Sequence, residues 1–183
     1  MYEIRWHGRG GQGIVYASEI LAAAAFREGK FSQAFPLFGA ERRGAPVTAY
    51  TRIDDSPILL RSQIYEPDIV VVLDPKFSRD PSTTKGLKEN GLLILNTAGN
   101  IESQYNRKYR VAWVDATRIA INLGLKVAGL PVPNTAMLGA FSKATGLVRI
   151  DTICSIIRSK WSGEIGDLNS KAAKLAYEKT KLR

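Results

Sequence analysis

The segment that most constrains the fold of this chain is a glycine-rich turn near its N-terminus, His7-Gly8-Arg9-Gly10-Gly11-Gln12-Gly13. It lies between an apolar start, with Ile4 and Trp6, and the apolar stretch from Ile14 to Phe26. Glycine accepts positive φ and has no Cβ, so the turn can expose its N–H groups beside the positive end of a helix. We therefore expect the glycine loop, defined as Gly8 to Gly13, to bind an anion. A tight strand-to-helix turn without a ligand is the alternative.

The glycine spacing also matches the dinucleotide fingerprint G-x-G-x-x-G, through Gly8, Gly10 and Gly13. That interpretation requires an acidic residue about 20 positions beyond the loop to bind a ribose hydroxyl. Phe31 to Phe35 contains none, and Glu28 falls at the predicted end of the helix. The sequence therefore disfavours a nicotinamide or flavin dinucleotide.

A second candidate loop extends from Phe31 to Pro46 and is too irregular for a helix or a central strand. Loops of this length inside compact domains are often functional. We expect Arg9, Arg42 and Arg43 to pair with phosphates, the alternative being ion pairs with carboxylates such as Glu41. The formal charge of +9 also favours an anionic ligand or an acidic protein partner. The basic residues are scattered, which disfavours nucleic acid.

Apolar segments with polar ends predict further strands at Asp68–Pro75, Leu92–Asn96 and Val111–Val114, the first of them a central parallel strand. Val47 to Ile53 and Ile58 to Arg61 flank a turn and predict an antiparallel hairpin. We thus expect an α/β fold, with a single Rossmann-like domain over residues 1–183 and a mainly parallel sheet flanked by helices.

Helix signals occur throughout the second half of the chain. One predicted helix ends at Gly86–Gly91, and a second spans Arg118–Ala128 after a cap at Asp115 or Thr117. Asn134 is expected to cap a helix that ends near Gly146, and Asp151 to cap the next one. The last predicted helix spans about Asp167 to Lys181. No apolar stretch approaches the ~18 residues of a membrane span, and the N-terminus has no apolar signal core. We expect a cytoplasmic protein that does not enter a membrane.

Few residues are available for metal or nucleophile chemistry. The chain has one cysteine, Cys154, and one histidine, His7. An iron–sulfur cluster normally needs four thiolates, so any cluster must lie elsewhere. His7 is expected to end the first strand, and contact with a ligand is left open for it. Gln12 is expected either to offer its amide to a ligand or to cap the helix. Cys154 is expected to pack in the core.

Both loops, in this order, resemble the gamma subunit of 2-oxoacid:ferredoxin oxidoreductases. The resemblance rests on the glycine loop followed by Ala22–Ala25, on Phe35 to Val47, on Asp68 to Pro75 and on Pro133 to Phe141. It covers nearly the whole chain and is strongest toward the four-subunit pyruvate and ketoisovalerate enzymes. A free-standing nucleotide- or phosphate-binding module remains the alternative.

The resemblance implies a subunit that is inactive alone. Its complex would decarboxylate a 2-oxoacid, reduce ferredoxin and form acyl-coenzyme A, or run in reverse as a pyruvate synthase. Thiamine diphosphate, Mg and [4Fe-4S] clusters would belong to the alpha, beta and delta subunits or to shared sites. No residue here is expected to be catalytic. The residues expected to contact coenzyme A are Gly8, Arg9, Gly10, Gly11, Gln12, Gly13, Glu41, Arg42, Arg43 and Gly44.

Overall fold

The computed structural model describes residues 1–37, 44–99 and 108–183. Its main feature is a mixed sheet of seven strands in the order β2-β3-β1-β4-β5-β6-β9. The strands are β1 (Tyr2–Arg9), β2 (Phe31–Leu37), β3 (Pro46–Asp54), β4 (Ile69–Val72), β5 (Leu92–Asn96), β6 (Arg110–Val114) and β9 (Lys181–Leu182). The four adjacent strands β1, β4, β5 and β6 run parallel, and β2, β3 and β9 pair antiparallel at the two sides. The α/β prediction is confirmed.

The five helices that the structure describes contribute side chains to one apolar core on one face of the sheet. They are α1 (Ile14–Arg27), α2 (Ala116–Asn122), α3 (Asn134–Thr145), α4 (Ile150–Lys160) and α5 (Gly163–Lys179). The short strands β7 (Lys126–Val127) and β8 (Leu130–Pro131) form a separate hairpin. None of the described helices is long and apolar enough to cross a membrane.

The opposite face has a smaller apolar cluster centred on Val70, Val72 and Leu93. Two 3-10 helices, Pro75–Arg79 and Pro81–Thr84, lie between β4 and β5. The α-helix predicted to end at Gly86–Gly91 is therefore wrong. Asp74 and Asp80 cap these short turns, and each is followed by a proline that favours the start of a turn.

The antiparallel hairpin exists, but its second predicted strand is wrong. β3 pairs with β2 from Phe31 to Leu37, a segment expected to be loop, whereas Ile58 to Arg61 forms no strand. The segment after Asp54 is instead held by Arg52, which donates to the carbonyls of Leu60 and Ser62. A buried side chain thus supplies the hydrogen bonds that a strand partner would have supplied.

Other predicted elements agree with the structure apart from their ends. β4 is central, with both faces buried, as expected for its continuous apolar sequence. Asp115 caps α2, which stops at Asn122 rather than Ala128. Asn134 is the first residue of α3 rather than its cap, and α5 starts four residues earlier than Asp167. Cys154 is buried in the helical core, as predicted.

Candidate functional site

The glycine loop connects β1 to α1 at the end of the sheet where the parallel strands terminate. Gly13 occupies the N-cap of α1 with φ 75°, in the left-handed region. A Cβ at Gly13 would also come within 2.4 Å of the Asn134 amide nitrogen, so two independent constraints require glycine there. Among the described residues no side chain caps α1, and its first turn contains no acidic residue. The positive end of the helix is therefore not neutralised locally.

The side chain of Gln12 holds the loop through two hydrogen bonds. The Gln12 carbonyl oxygen accepts from the Arg9 backbone N–H at 2.8 Å, and the Gln12 amide nitrogen donates to Asp74 at 3.0 Å. Gln12 thus ties the loop to strand β4 and does not cap the helix. Of the two roles that the sequence left open for this amide, helix capping is excluded, and contact with a ligand stays a prediction.

Arg9 forms an ion pair with Asp74 at 3.0 Å, and its guanidinium lies 4.7 Å from the centre of the Phe77 ring. It also donates to the Gly44 carbonyl at 3.1 Å. The sequence considered Glu41 as the carboxylate partner of these arginines, but Asp74 is the partner of Arg9. Two of the five N–H donors of this guanidinium are therefore used within the protein, while its side chain stays 34% exposed.

Gly44 lies directly beside the glycine loop. Its N–H donates to the Gly10 carbonyl at 3.2 Å, and the Gly10 N–H donates to the Ala45 carbonyl at 2.9 Å. The structure therefore brings Gly44, near the end of the second loop, next to the glycine loop. Glu41, Arg42 and Arg43 lie outside the described residues.

A cavity of about 600 Å³ opens beside the loop. The glycine loop and the first turn of α1 form one wall, and the β7 region and the start of α5 form the others. Most of its lining is apolar and includes Tyr16, Trp161 and Ile165, together with the backbone of Gly10 and Gly11. A site that combines apolar walls with a few polar groups is typical of small-molecule binding.

Two buried polar side chains of this site were not assigned from the sequence. Asn134 donates to the Gly13 carbonyl at 3.3 Å and lines the cavity, and Asp74 binds both Arg9 and Gln12. Asp74 follows a predicted parallel strand, so the rule that ligands bind at the carboxyl ends of strands pointed to its neighbourhood. Asn134 had no such signal, because its contact with Gly13 spans 121 positions.

His7 is placed on the opposite face of the sheet and is not among the described residues that line the cavity. Its Nε2 accepts from the Arg5 guanidinium at 2.9 Å. Burial, together with Arg5, lowers the pKa of His7 from its ordinary 6.5 to about 4, against a smaller opposing effect of Asp80. The ring is thus neutral at pH 7.

Comparison with known proteins gives a consistent picture. The family model for pyruvate ferredoxin/flavodoxin oxidoreductase matches residues 3–179. The pyruvate/ketoisovalerate oxidoreductases common subunit gamma of Pyrococcus abyssi is 55% identical, over 100% of this chain and 98% of that protein. The pyruvate synthase subunit PorC of Methanothermobacter marburgensis is also 55% identical, over 99% and 98%.

The crystal structure of pyruvate oxidoreductase subunit PORC from Thermotoga maritima has a TM-score of 0.85 at 39% identity, over 99% of this chain and 97% of that one. The chain belongs to the pyruvate ferredoxin/flavodoxin oxidoreductase family. Within that family it is a subunit of the gamma, or PorC, type. The match over the full length of such subunits does not favour the alternative of a free-standing module.

Proposed function

We propose that this chain takes part, as the gamma subunit, in the coenzyme A-dependent oxidative decarboxylation of pyruvate or a branched-chain 2-oxoacid. The complex would form acyl-coenzyme A and CO2 and reduce ferredoxin, or run the reverse synthase reaction. The observation that carries this proposal is the match to gamma and PorC subunits, which extends over nearly the whole of this chain and of each relative. We further propose that residues 1–183 act as a single cytoplasmic domain within a four-subunit complex.

The described residues do not fit an iron–sulfur cluster or a metal-bound thiamine diphosphate. The only cysteine, Cys154, is buried between helices, with its thiol 3.6 Å from the Ser170 carbonyl. In the described ranges no group of three or more His, Cys, Asp or Glu side chains is arranged to bind a metal. We propose that these cofactors lie on the alpha, beta and delta subunits or at sites shared between subunits.

We propose that the glycine loop and the adjoining Glu41 to Gly44 segment contact coenzyme A. The uncapped start of α1 suits its phosphates, and the apolar cavity wall suits its uncharged arm. Charge-assisted hydrogen bonds of this kind are worth about 1.5 to 3 kcal/mol each. Because Asp74 already pairs with Arg9, Arg42 and Arg43 are expected to supply most of the positive charge.

Copurification tests the subunit role. A tagged gamma chain expressed in its native source should recover the other subunits, and only the recovered complex should reduce an electron acceptor with pyruvate and coenzyme A. The isolated chain should show no such activity. Oxidation of a 2-oxoacid by the isolated chain would contradict the proposal.

Gly11 offers a matched pair of variants for the coenzyme A contact. Its φ of 96° strains any side chain, but an added Cβ would meet nothing within 4 Å. Asn and Asp therefore share the same strain and place side chains of equal shape on the open side of the loop. In the assembled complex, Gly11→Asp should raise the KM for coenzyme A about tenfold over Gly11→Asn, which corresponds to about 1.4 kcal/mol. Replacing Arg42 and Arg43 by alanine should have an effect of similar size. Equal KM values for the two Gly11 variants would contradict a contact at the loop.

A further inference from the structure

Asp74 lies where strand β4 ends, next to the glycine loop that follows strand β1. The side chain is buried, with 6% of the residue exposed. β4 pairs with β1 in parallel, so the ends of both strands reach the same edge of the sheet. A buried carboxylate is stable only when its oxygens are hydrogen-bonded and its charge is paired.

Both oxygens of this carboxylate are used, and they join three segments. Oδ1 accepts from the backbone N–H of Lys76 at 2.9 Å and so starts the first 3-10 helix. Oδ2 accepts from the Arg9 guanidinium and from the Gln12 amide, each at 3.0 Å. The two donors on Oδ2 come from the two ends of the Gly10-Gly11 pair.

The glycine loop is held partly by backbone hydrogen bonds, which join Gly10 to Gly44 and Ala45, and partly by the side chains that flank its two central glycines. Gly10 and Gly11 have no side chains, and fixing glycine backbone costs more conformational entropy than fixing any other residue. Gln12 closes the loop by accepting from the Arg9 N–H, but its own orientation depends on its bond to Asp74. The carboxylate therefore holds, from outside the loop, the two side chains that flank Gly10 and Gly11.

The same carboxylate acts on the second loop through Arg9. The guanidinium that Asp74 holds also donates to the Gly44 carbonyl, and Gly44 is hydrogen-bonded to Gly10. Without Asp74, Arg9 would lose the ion pair that directs it toward Gly44. Asp74 thus contributes to the placement of Gly44 as well as of the glycine loop.

We propose that Asp74 is a positioning residue for coenzyme A binding: it holds the glycine loop and Gly44 in their binding geometry through Arg9 and Gln12, without touching the ligand. This inference rests on the proposed function. It predicts that removing the carboxylate weakens coenzyme A binding more than it changes the turnover rate at saturating coenzyme A, since no reacting group is lost.

The experiment compares Asp74→Ala and Asp74→Asn with Asp68→Ala in the assembled complex. Asp68 lies at the opposite end of the same strand, where its carboxylate also joins β1, through the Glu3 N–H at 2.8 Å, and pairs with Lys88 at 2.7 Å. The Asp74 variants should raise the KM for coenzyme A about tenfold with little change in kcat. Asp68→Ala should leave that KM unchanged. Asp74→Asn keeps the size of the side chain and so provides the measurement if the alanine variant does not assemble.

A double-mutant cycle with Arg9→Ala separates positioning from general stabilisation. Because both substitutions remove the Asp74–Arg9 contact, the double variant should raise the KM by less than the product of the two single effects. Additive effects, or a lowered Tm with an unchanged KM, would overturn the inference. If Gly11→Asp raises the KM relative to Gly11→Asn while the Asp74 variants do not, the coenzyme A contact stands and only the role of Asp74 fails.

Discussion

The two faces of the sheet are stabilised in different ways. The helical face is a continuous apolar core in which Trp6 of β1 stacks on Phe141 of α3, with ring centres 6.1 Å apart and both side chains fully buried. On the other face, β1 and β3 present Arg5 and Arg52, which are 8% and 1% exposed. Hydrophobic burial holds one face, and hydrogen bonds to buried cations hold much of the other.

The difference shows how segments with little helix or strand can cover one face of a sheet. Arg52 pairs with Glu3 at 2.9 Å and donates to the carbonyls of Leu60 and Ser62. Arg5 donates in the same way to the carbonyls of Thr83 and Lys85. Helices satisfy their own backbone groups, whereas these segments have their carbonyls satisfied by arginine side chains from the sheet. The helical face should therefore respond most to lost volume, and the other face to lost charge.

The largest expected effect is on the helical face. Phe141→Ala should lower the free energy of unfolding by about 3 to 5 kcal/mol, because it leaves a cavity against Trp6 that the rigid sheet cannot fill. Denaturant titration of the purified chain measures this loss. The exposed Phe26 is 71% accessible and serves as control, since Phe26→Ala removes the same atoms without a cavity. Equal losses for the two variants would contradict a close-packed core here.

A smaller loss is expected on the other face. Arg52→Ala should lower the free energy of unfolding by about 2 to 3 kcal/mol, because it leaves the Glu3 charge and two carbonyls without their donor, and Glu3 retains partial access to water. Arg52→Ala combined with Glu3→Gln should recover part of the loss in the same titration. A double variant no more stable than the single one would show that the charge pair contributes little.

The third effect, comparable in size to the second, concerns pH. The folded protein keeps His7 neutral down to about pH 4, whereas the unfolded chain protonates it below its ordinary 6.5. The unfolded state thus binds more protons between these values, so stability should fall on acidification through this window, by about 1.4 kcal/mol per pH unit at the steepest. Tm values at pH 7 and pH 4.5 measure this, and His7→Gln should show a smaller decrease. If Tm decreases as much in that variant as in the original protein, the pH dependence comes from other groups.

The glycine loop, α1 and the three central strands β4, β5 and β6 could be predicted because their signals are local. A continuous apolar stretch between polar ends indicates a strand buried on both faces, whichever neighbours it has. Four glycines before an apolar stretch indicate a turn at which backbone is exposed. These local patterns also carried the resemblance to the gamma subunits, which the comparisons confirmed.

The edge of the sheet could not be predicted in this way. Phe31 to Leu37 contains a proline and polar residues, yet it forms β2, because β3 supplies a partner along its whole length. Ile58 to Arg61 has better strand residues but forms no strand, since the preceding chain already pairs with β1 and β2 on both sides. Pairing partners, rather than intrinsic preference, decided both outcomes.

By itself the sequence determined the fold class, the position of the glycine loop and the family, because residue type and spacing along a few positions suffice for each. Only the tertiary structure decided which side chains complete the site. Asp74 reaches Arg9 across 65 positions, and Asn134 reaches Gly13 across 121. Such contacts depend on strand order and helix packing, which no local pattern encodes, so the side chains that hold the loop emerge only when the chain is folded.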